Sequence, residues 1–131
     1  MNSPQRSRSI FRFAAPHNFY HLAGRLAPWF AAAALALTLA GLWLAFIVAP
    51  TDATQGQVYR VIFIHVPAAW MAMFLYLVMA GWCVASLIWN TRMSAMMAQA
   101  LAPTGAMFSA VALWTGALWG RPTWGAYWVW D

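Results

Sequence analysis

The sequence predicts an all-α fold, a polytopic helical membrane protein with three transmembrane helices, and three observations predict it. Of 131 residues, 64% are hydrophobic and only 7% charged, which leaves too few charges to cover a water-facing surface. Three stretches carry no charge at all over more than the ~20 residues a helix needs to cross a ~30 Å hydrocarbon layer. The seven cations, all arginine, lie outside those stretches, at positions where charge sets topology.

Residues 1–25 hold Arg6, Arg8, Arg12 and Arg25 and read as a cytoplasmic tail whose arginines meet anionic lipid headgroups. His17 and His21 within it share a face if helical, and are read as solvated rather than as a metal site. Leu26 to Thr51 is uncharged, with a first span at about 29–49. It is longer than the ~7–15-residue core of a secretory signal, so it reads as an uncleaved anchor. Pro50 to Arg60 is a short polar connection. The second span is expected at about 64–89, with Pro67 in its first turn, where a missing N–H costs no hydrogen bond. Asn90 to Ser94, with Arg92, turns the chain back. The third span is expected at about 97–119, kinked near its entry by Pro103, and residues 120–131 form a tryptophan-rich loop.

Four arginines precede the first span and Arg92 lies in the second connection, whereas Arg60 is offset by Asp52 and Arg121 by Asp131. The positive-inside rule then makes the N-terminus cytoplasmic and puts Pro50–Arg60 and residues 120–131 on the outer side.

Composition also excludes. No basic surface with interleaved aromatics is left for nucleic acid. Cys83 is the one cysteine, so neither an internal disulfide nor a cysteine zinc site can form, and no C-x-x-C-H is present for covalent haem attachment. Asp52 and Asp131 are the only acids and no G-x-S-x-G elbow occurs, so the chain is not expected to be an enzyme. The eight methionines are scattered and read as helix packing.

The chemistry concentrates in Trp119-Gly120-Arg121-Pro122-Thr123-Trp124-Gly125-Ala126-Tyr127-Trp128-Val129-Trp130-Asp131. Interfacial anchoring alone would account for aromatic rings at headgroup depth, but not for this tight alternation of tryptophan with glycine. Glycines such as Gly120 and Gly125 allow close backbone approach, and the indoles of Trp119, Trp124, Trp128 and Trp130, with Tyr127, offer faces to a planar aromatic ligand. Haem, an apolar macrocycle with two anionic propionates, fits. His65 is the second candidate: an ionisable group at the edge of a span is costly, and imidazole is a common axial ligand of haem iron. Ala68, Ala69 and Ala72 follow it at helical spacing, and the expectation is that this small-residue face makes room for the macrocycle. A histidine bonded to a neighbouring carbonyl is the plainer alternative. Arg60 and Arg121 are candidates for pairing with propionates, or are arginines snorkelling from helix ends. Asp131 is a candidate acceptor for loop amides and indoles.

The tryptophan segment, together with His65-Val66-Pro67-Ala68-Ala69-Trp70, resembles the cytochrome c maturation protein C (haem exporter protein C, CcmC) family, whose hallmark is a tryptophan-rich periplasmic "WWD" segment. The resemblance is specific from about Gly56 to Asp131. It implies a multi-pass protein of the bacterial inner membrane that takes part in cytochrome c-type biogenesis and haem transport, with the WWD loop periplasmic. Haem b would be held non-covalently and transiently, then passed to a CcmE-type periplasmic haem chaperone, with CcmA, CcmB and CcmD as further partners. His65 matches the first of the family's two axial histidines. The second has no counterpart here, and the family has six spans, so the resemblance implies the N-terminal half of that fold, truncated after the WWD segment. The alternatives are a small membrane transport or channel subunit with aromatic anchors, an assembly module using small faces such as Gly105 to Gly116, or an inactive fragment.

Overall fold

The computed structural model describes residues 15–130. The tail arginines Arg6, Arg8 and Arg12, and Asp131 at the other end, lie outside the described residues. The chain divides into two compact units, Met1–Ala36 and Leu37–Asp131.

The described residues are helical wherever the charge-free stretches are. Helix α1 spans Pro16–Trp43 and continues through a wider π-helical turn, Leu44–Val48; a 3₁₀ turn at Val58–Val61 leads into α2, Ile62–Trp89; α3 spans Arg92–Trp124. The three helical segments, of 33, 32 and 33 residues, are each long and apolar enough to cross a membrane. At 1.5 Å per residue each is about 50 Å long, well beyond the ~30 Å apolar layer, so each reaches past the spans expected from the sequence. In α1 the extension is at the start, from Pro16. In α3 it is at both ends, from Arg92 and on to Trp124.

In the first unit the described part is the beginning of α1, where His17 and His21 meet edge to face with ring centroids 4.6 Å apart. Among the described residues no group of three metal-binding side chains gathers anywhere.

The second unit is built on an antiparallel pair. Asn90 ends α2 in the left-handed region at φ 47°, which asparagine tolerates better than most residues, and α3 starts two residues later. A reversal this short leaves α2 and α3 no choice but to pack side by side. Very little of either helix is buried: Ala68 and Leu75 in α2, with Ser94, Ala98 and Gly120 in α3. The large side chains, among them Trp70, Phe74, Leu77, Leu87 and Trp114, point outward. In water such a surface would aggregate; in lipid it is the expected exterior, and close approach through small residues is how membrane helices associate. The helix of α3 runs unbroken through Pro103.

One end of this unit is tied by hydrogen bonds. In an α-helix the Ala49 N–H would donate to the Ala45 carbonyl, but the π turn sends it to Leu44 instead, at 2.8 Å. The Ala45 oxygen so released accepts from Arg60 Nη1 at 2.7 Å, and the Ala49 oxygen accepts from Arg60 Nη2 at 2.8 Å. Arg60 Nε donates to Gln57 Oε1, and the Gln57 amide donates to Thr51 Oγ1. Tyr59 closes the connection by donating its hydroxyl to the Pro50 carbonyl at 2.8 Å. Arg60 is thereby buried, satisfied and spent as a C-terminal cap for α1.

Candidate functional site

His65 lies in the first turn of α2, one turn beyond Arg60, and faces α3. Its Nδ1 is 3.0 Å from the Ala112 carbonyl oxygen and 3.1 Å from Thr115 Oγ1. The imidazole packs closely on Gly116: a Cβ there would sit 3.0 Å from Cε1, tight enough that the ring would have to shift by a few tenths of an ångström. Two turns of α3 are therefore shaped around this ring. Trp119, one turn further on, packs against it with centroids 6.0 Å apart and is anchored by an indole N–H donated to Gln55 Oε1 at 2.9 Å. Gln55 belongs to the tied connection, so the loop between α1 and α2 holds the first indole of the tryptophan segment.

Beyond Trp119 the chain behaves differently from expectation. The sequence reading ends the helix there, yet α3 continues through Arg121 and Pro122 to Trp124. The Thr123 hydroxyl donates back to the Trp119 carbonyl at 2.8 Å. The stop comes at Gly125, whose φ of +84° puts it in the left-handed region and whose N–H closes onto Arg121 O at 2.8 Å, a terminus glycine favours because no Cβ collides. Reversed there, the chain folds back on α3 and meets Gly120, where a Cβ would lie 3.1 Å from the Ala126 carbonyl oxygen. The two glycines of the Trp-Gly pairs thus do separate jobs: one makes the turn, the other lets the returning backbone approach.

Between the turn and the helix lies an open cleft of about 510 Å³ lined by His65, Ala112, Leu113, Gly116, Ala117, Gly120, Trp124, Ala126, Tyr127, Trp128 and Val129. Its volume falls in the range of small-molecule sites, and its lining combines apolar and aromatic walls with one convergent polar group, as such sites do. Trp119 and Trp124 pack at 5.7 Å, and Trp128 and Trp130 at 5.5 Å. Trp130 is 91% exposed, and among the described residues the indole N–H groups of Trp124, Trp128 and Trp130 have no acceptor. The Arg121 guanidinium sits 4.8 Å over the Tyr127 ring, a cation–π contact that keeps a charge one ring away from the cleft. A larger cavity of about 790 Å³, lined by residues such as Leu42, Phe63, Pro67 and Phe108, has almost no polar group to orient a ligand and reads as lipid-facing packing space.

Of the residues expected to act together, His65, Gly120, Trp124, Tyr127 and Trp128 line one cleft. Trp119, Gly125, Trp130 and Arg121 flank it by ring contact or turn geometry. Arg60 does not join them: its three nitrogens serve Gln57 and the end of α1, so a propionate-binding role has no support in this geometry. The small-residue floor is also misplaced in the sequence reading. Ala68 is buried toward the large apolar cavity and Ala72 lines a separate pocket, while the cleft takes its floor from Ala112, Gly116 and Gly120 on α3. Their four-residue spacing was the available signal. Gln55 and Thr115 carried none, because polar residues at span ends are ordinary.

The comparisons with known proteins agree with one another. The family model described as Heme exporter protein C (CcmC) matches residues 9–131. The chain is 43% identical over 123 residues to the Heme exporter protein C of Bradyrhizobium diazoefficiens, covering 94% of this chain and 46% of that one. It is 41% identical over 125 residues to the Escherichia coli K12 protein of that name (95% and 51%) and 45% identical over 126 to that of Paracoccus denitrificans (94% and 51%). The chain spans about half the length of these curated relatives. With three helices able to span a membrane and a match that runs through His65 and the whole tryptophan segment, this is a multi-pass membrane protein that belongs to the CcmC, Heme exporter protein C, family.

Proposed function

We propose that this chain presents haem at the periplasmic face of the bacterial inner membrane for cytochrome c biogenesis, handing it to a CcmE-type chaperone. The observation that carries the reading is the cleft itself: an imidazole at one end and indole walls along the other side, in an otherwise apolar protein. Iron takes the imidazole of His65; Trp124, Tyr127 and Trp128 lie against the macrocycle; Gly116 and Gly120 keep α3 low enough for a flat ligand to enter. Arg121, exposed and held only over Tyr127, has donors to spare for a propionate. Haem is cargo here, so the protein's work is to hold, orient and release it. An open cleft with exposed indoles suits release better than a sealed pocket would.

The arginine asymmetry supports an outer location for the cleft, since the N-terminal tail and Arg92 favour the cytoplasmic side. CcmA, CcmB and CcmD are the partners this reading assigns to the outward apolar faces. Haem b is the form expected, as no thioether can form in the absence of C-x-x-C-H.

Membranes carrying the chain are expected to retain added haem b, read as its absorbance band after washing. Replacing Trp124 and Trp128 together by Ala should weaken retention roughly two- to twelvefold per ring, the worth of about 0.5–1.5 kcal/mol for each aromatic contact. Retention equal to the unaltered chain would show that the rings serve only as interfacial anchors.

A further inference from the structure

We propose that Thr115 is a positioning residue which, with the Ala112 carbonyl, keeps the His65 proton on Nδ1 and so leaves Nε2 as the atom offered to the cleft. A carbonyl oxygen can only accept, so the 3.0 Å contact with Ala112 O favours the tautomer with the hydrogen on Nδ1, and a second acceptor there adds to the preference. Thr115 completes the arrangement. Its own hydroxyl has backbone acceptors in the Val111 carbonyl at 2.7 Å and the Ala112 carbonyl at 3.2 Å, which leaves an oxygen lone pair for the same Nδ1–H at 3.1 Å. One proton is shared between two acceptors, and the arrangement favours the neutral tautomer with the hydrogen on Nδ1. Nε2 has no partner among the described residues, and no unpartnered side-chain nitrogen or oxygen is sealed from the surface, so Nε2 opens on the cleft that His65 lines.

The ring is fixed in orientation as well as in protonation. Gly116 allows it to lie against α3 with Cε1 at the closest approach, and Trp119 packs on it. Acceptors of this kind on the remote nitrogen raise the basicity of a ligating histidine and hold its plane. Only the last step, that Nε2 receives iron, rests on the proposed function; the place of the proton does not.

The test uses the chain labelled with nitrogen-15 histidine, haem-free, with His65 assigned by its loss in His65→Ala. The unaltered chain should show His65 with an unprotonated, pyridine-type Nε2 and a protonated Nδ1. Thr115→Val should move both nitrogens toward the average of the two tautomers, and Thr115→Ser should restore them. A proton found on Nε2, or shifts untouched by the valine, would overturn the proposal. With haem added, Thr115→Val should lower retention about tenfold and Thr115→Ser should recover it. If no variant takes up haem, the functional reading fails on its own, and the nitrogen shifts still decide where the proton sits.

Discussion

Two regions at the same end of the larger unit are built by opposite means. The connection between α1 and α2, Pro50 to Arg60, is held by hydrogen bonds: Asp52 Oδ1 accepts from Thr54 N–H, Thr54 Oγ1–H and Gln55 N–H, Tyr59 reaches Pro50, and Arg60 ties Gln57 to the end of α1. The tryptophan segment after Gly120 is held by two glycine-dependent backbone contacts and by rings leaning on rings. Polar groups in the connection are spent on one another. Indole faces and N–H groups in the tryptophan segment are left over. A frame needs the first property and a transient binding surface needs the second, and Gln55 to Trp119 is the joint between them.

The contrast breaks most easily in the frame. Arg60→Met removes the buried guanidinium and strands the Ala45 and Ala49 carbonyls that accept from it. Thermal unfolding in detergent should show a loss of about 2–4 kcal/mol, against almost none for Trp130→Ala at the exposed end of the other region. Equal losses would erase the distinction.

Next in size are the glycines. Gly125→Ala puts a Cβ into a left-handed turn, a strain of about 1–2 kcal/mol, and Gly120→Val meets the Ala126 carbonyl. Both should reduce haem retention more than they lower the unfolding midpoint, because they displace the returning strand and leave the helix pair in place. A midpoint that falls in step with retention would make the segment part of the frame after all.

Gln55→Leu should cost about 1 kcal/mol and leave Trp119 freer, read as a change in tryptophan fluorescence anisotropy. The smallest effect is a pH dependence. The hydrogen bonds from Gln55 N–H, the Thr54 hydroxyl and Thr54 N–H hold the Asp52 carboxyl below its ordinary pKa. A folded pKa below the unfolded value of about 3.9 means the contribution is present above that value and is lost as pH falls through the folded one. Asp52→Asn should therefore flatten the acid limb of the unfolding midpoint below about pH 4 and leave neutral pH nearly unchanged.

Much of this was legible from the sequence because membrane helices announce themselves by what they lack. Charge-free stretches locate α1, α2 and α3, and arginine, tryptophan and glycine mark the ends. The helix limits were less legible. Pro122 reads as a breaker, yet in the last turn of α3 the helix proceeds to Gly125, where the left-handed conformation is obtained at no steric cost. The role of Arg60 was hidden because it depends on a π turn that frees the Ala45 carbonyl, a one-residue slip that no hydropathy pattern encodes. His65 stood out as an ionisable group at a span edge. Its partners on α3 did not, since nothing in α2 says which face of α3 will meet it.

The most direct measurement is a haem titration of the chain and of His65→Ala in the same membranes, following the absorbance band of the bound form. Axial ligation through His65 predicts a band whose position and intensity both change in the alanine variant, with retention reduced by tenfold or more. A band identical in the two would contradict the account at its centre, leaving the tryptophan segment as an anchor and His65 as a histidine that merely bridges α2 to α3.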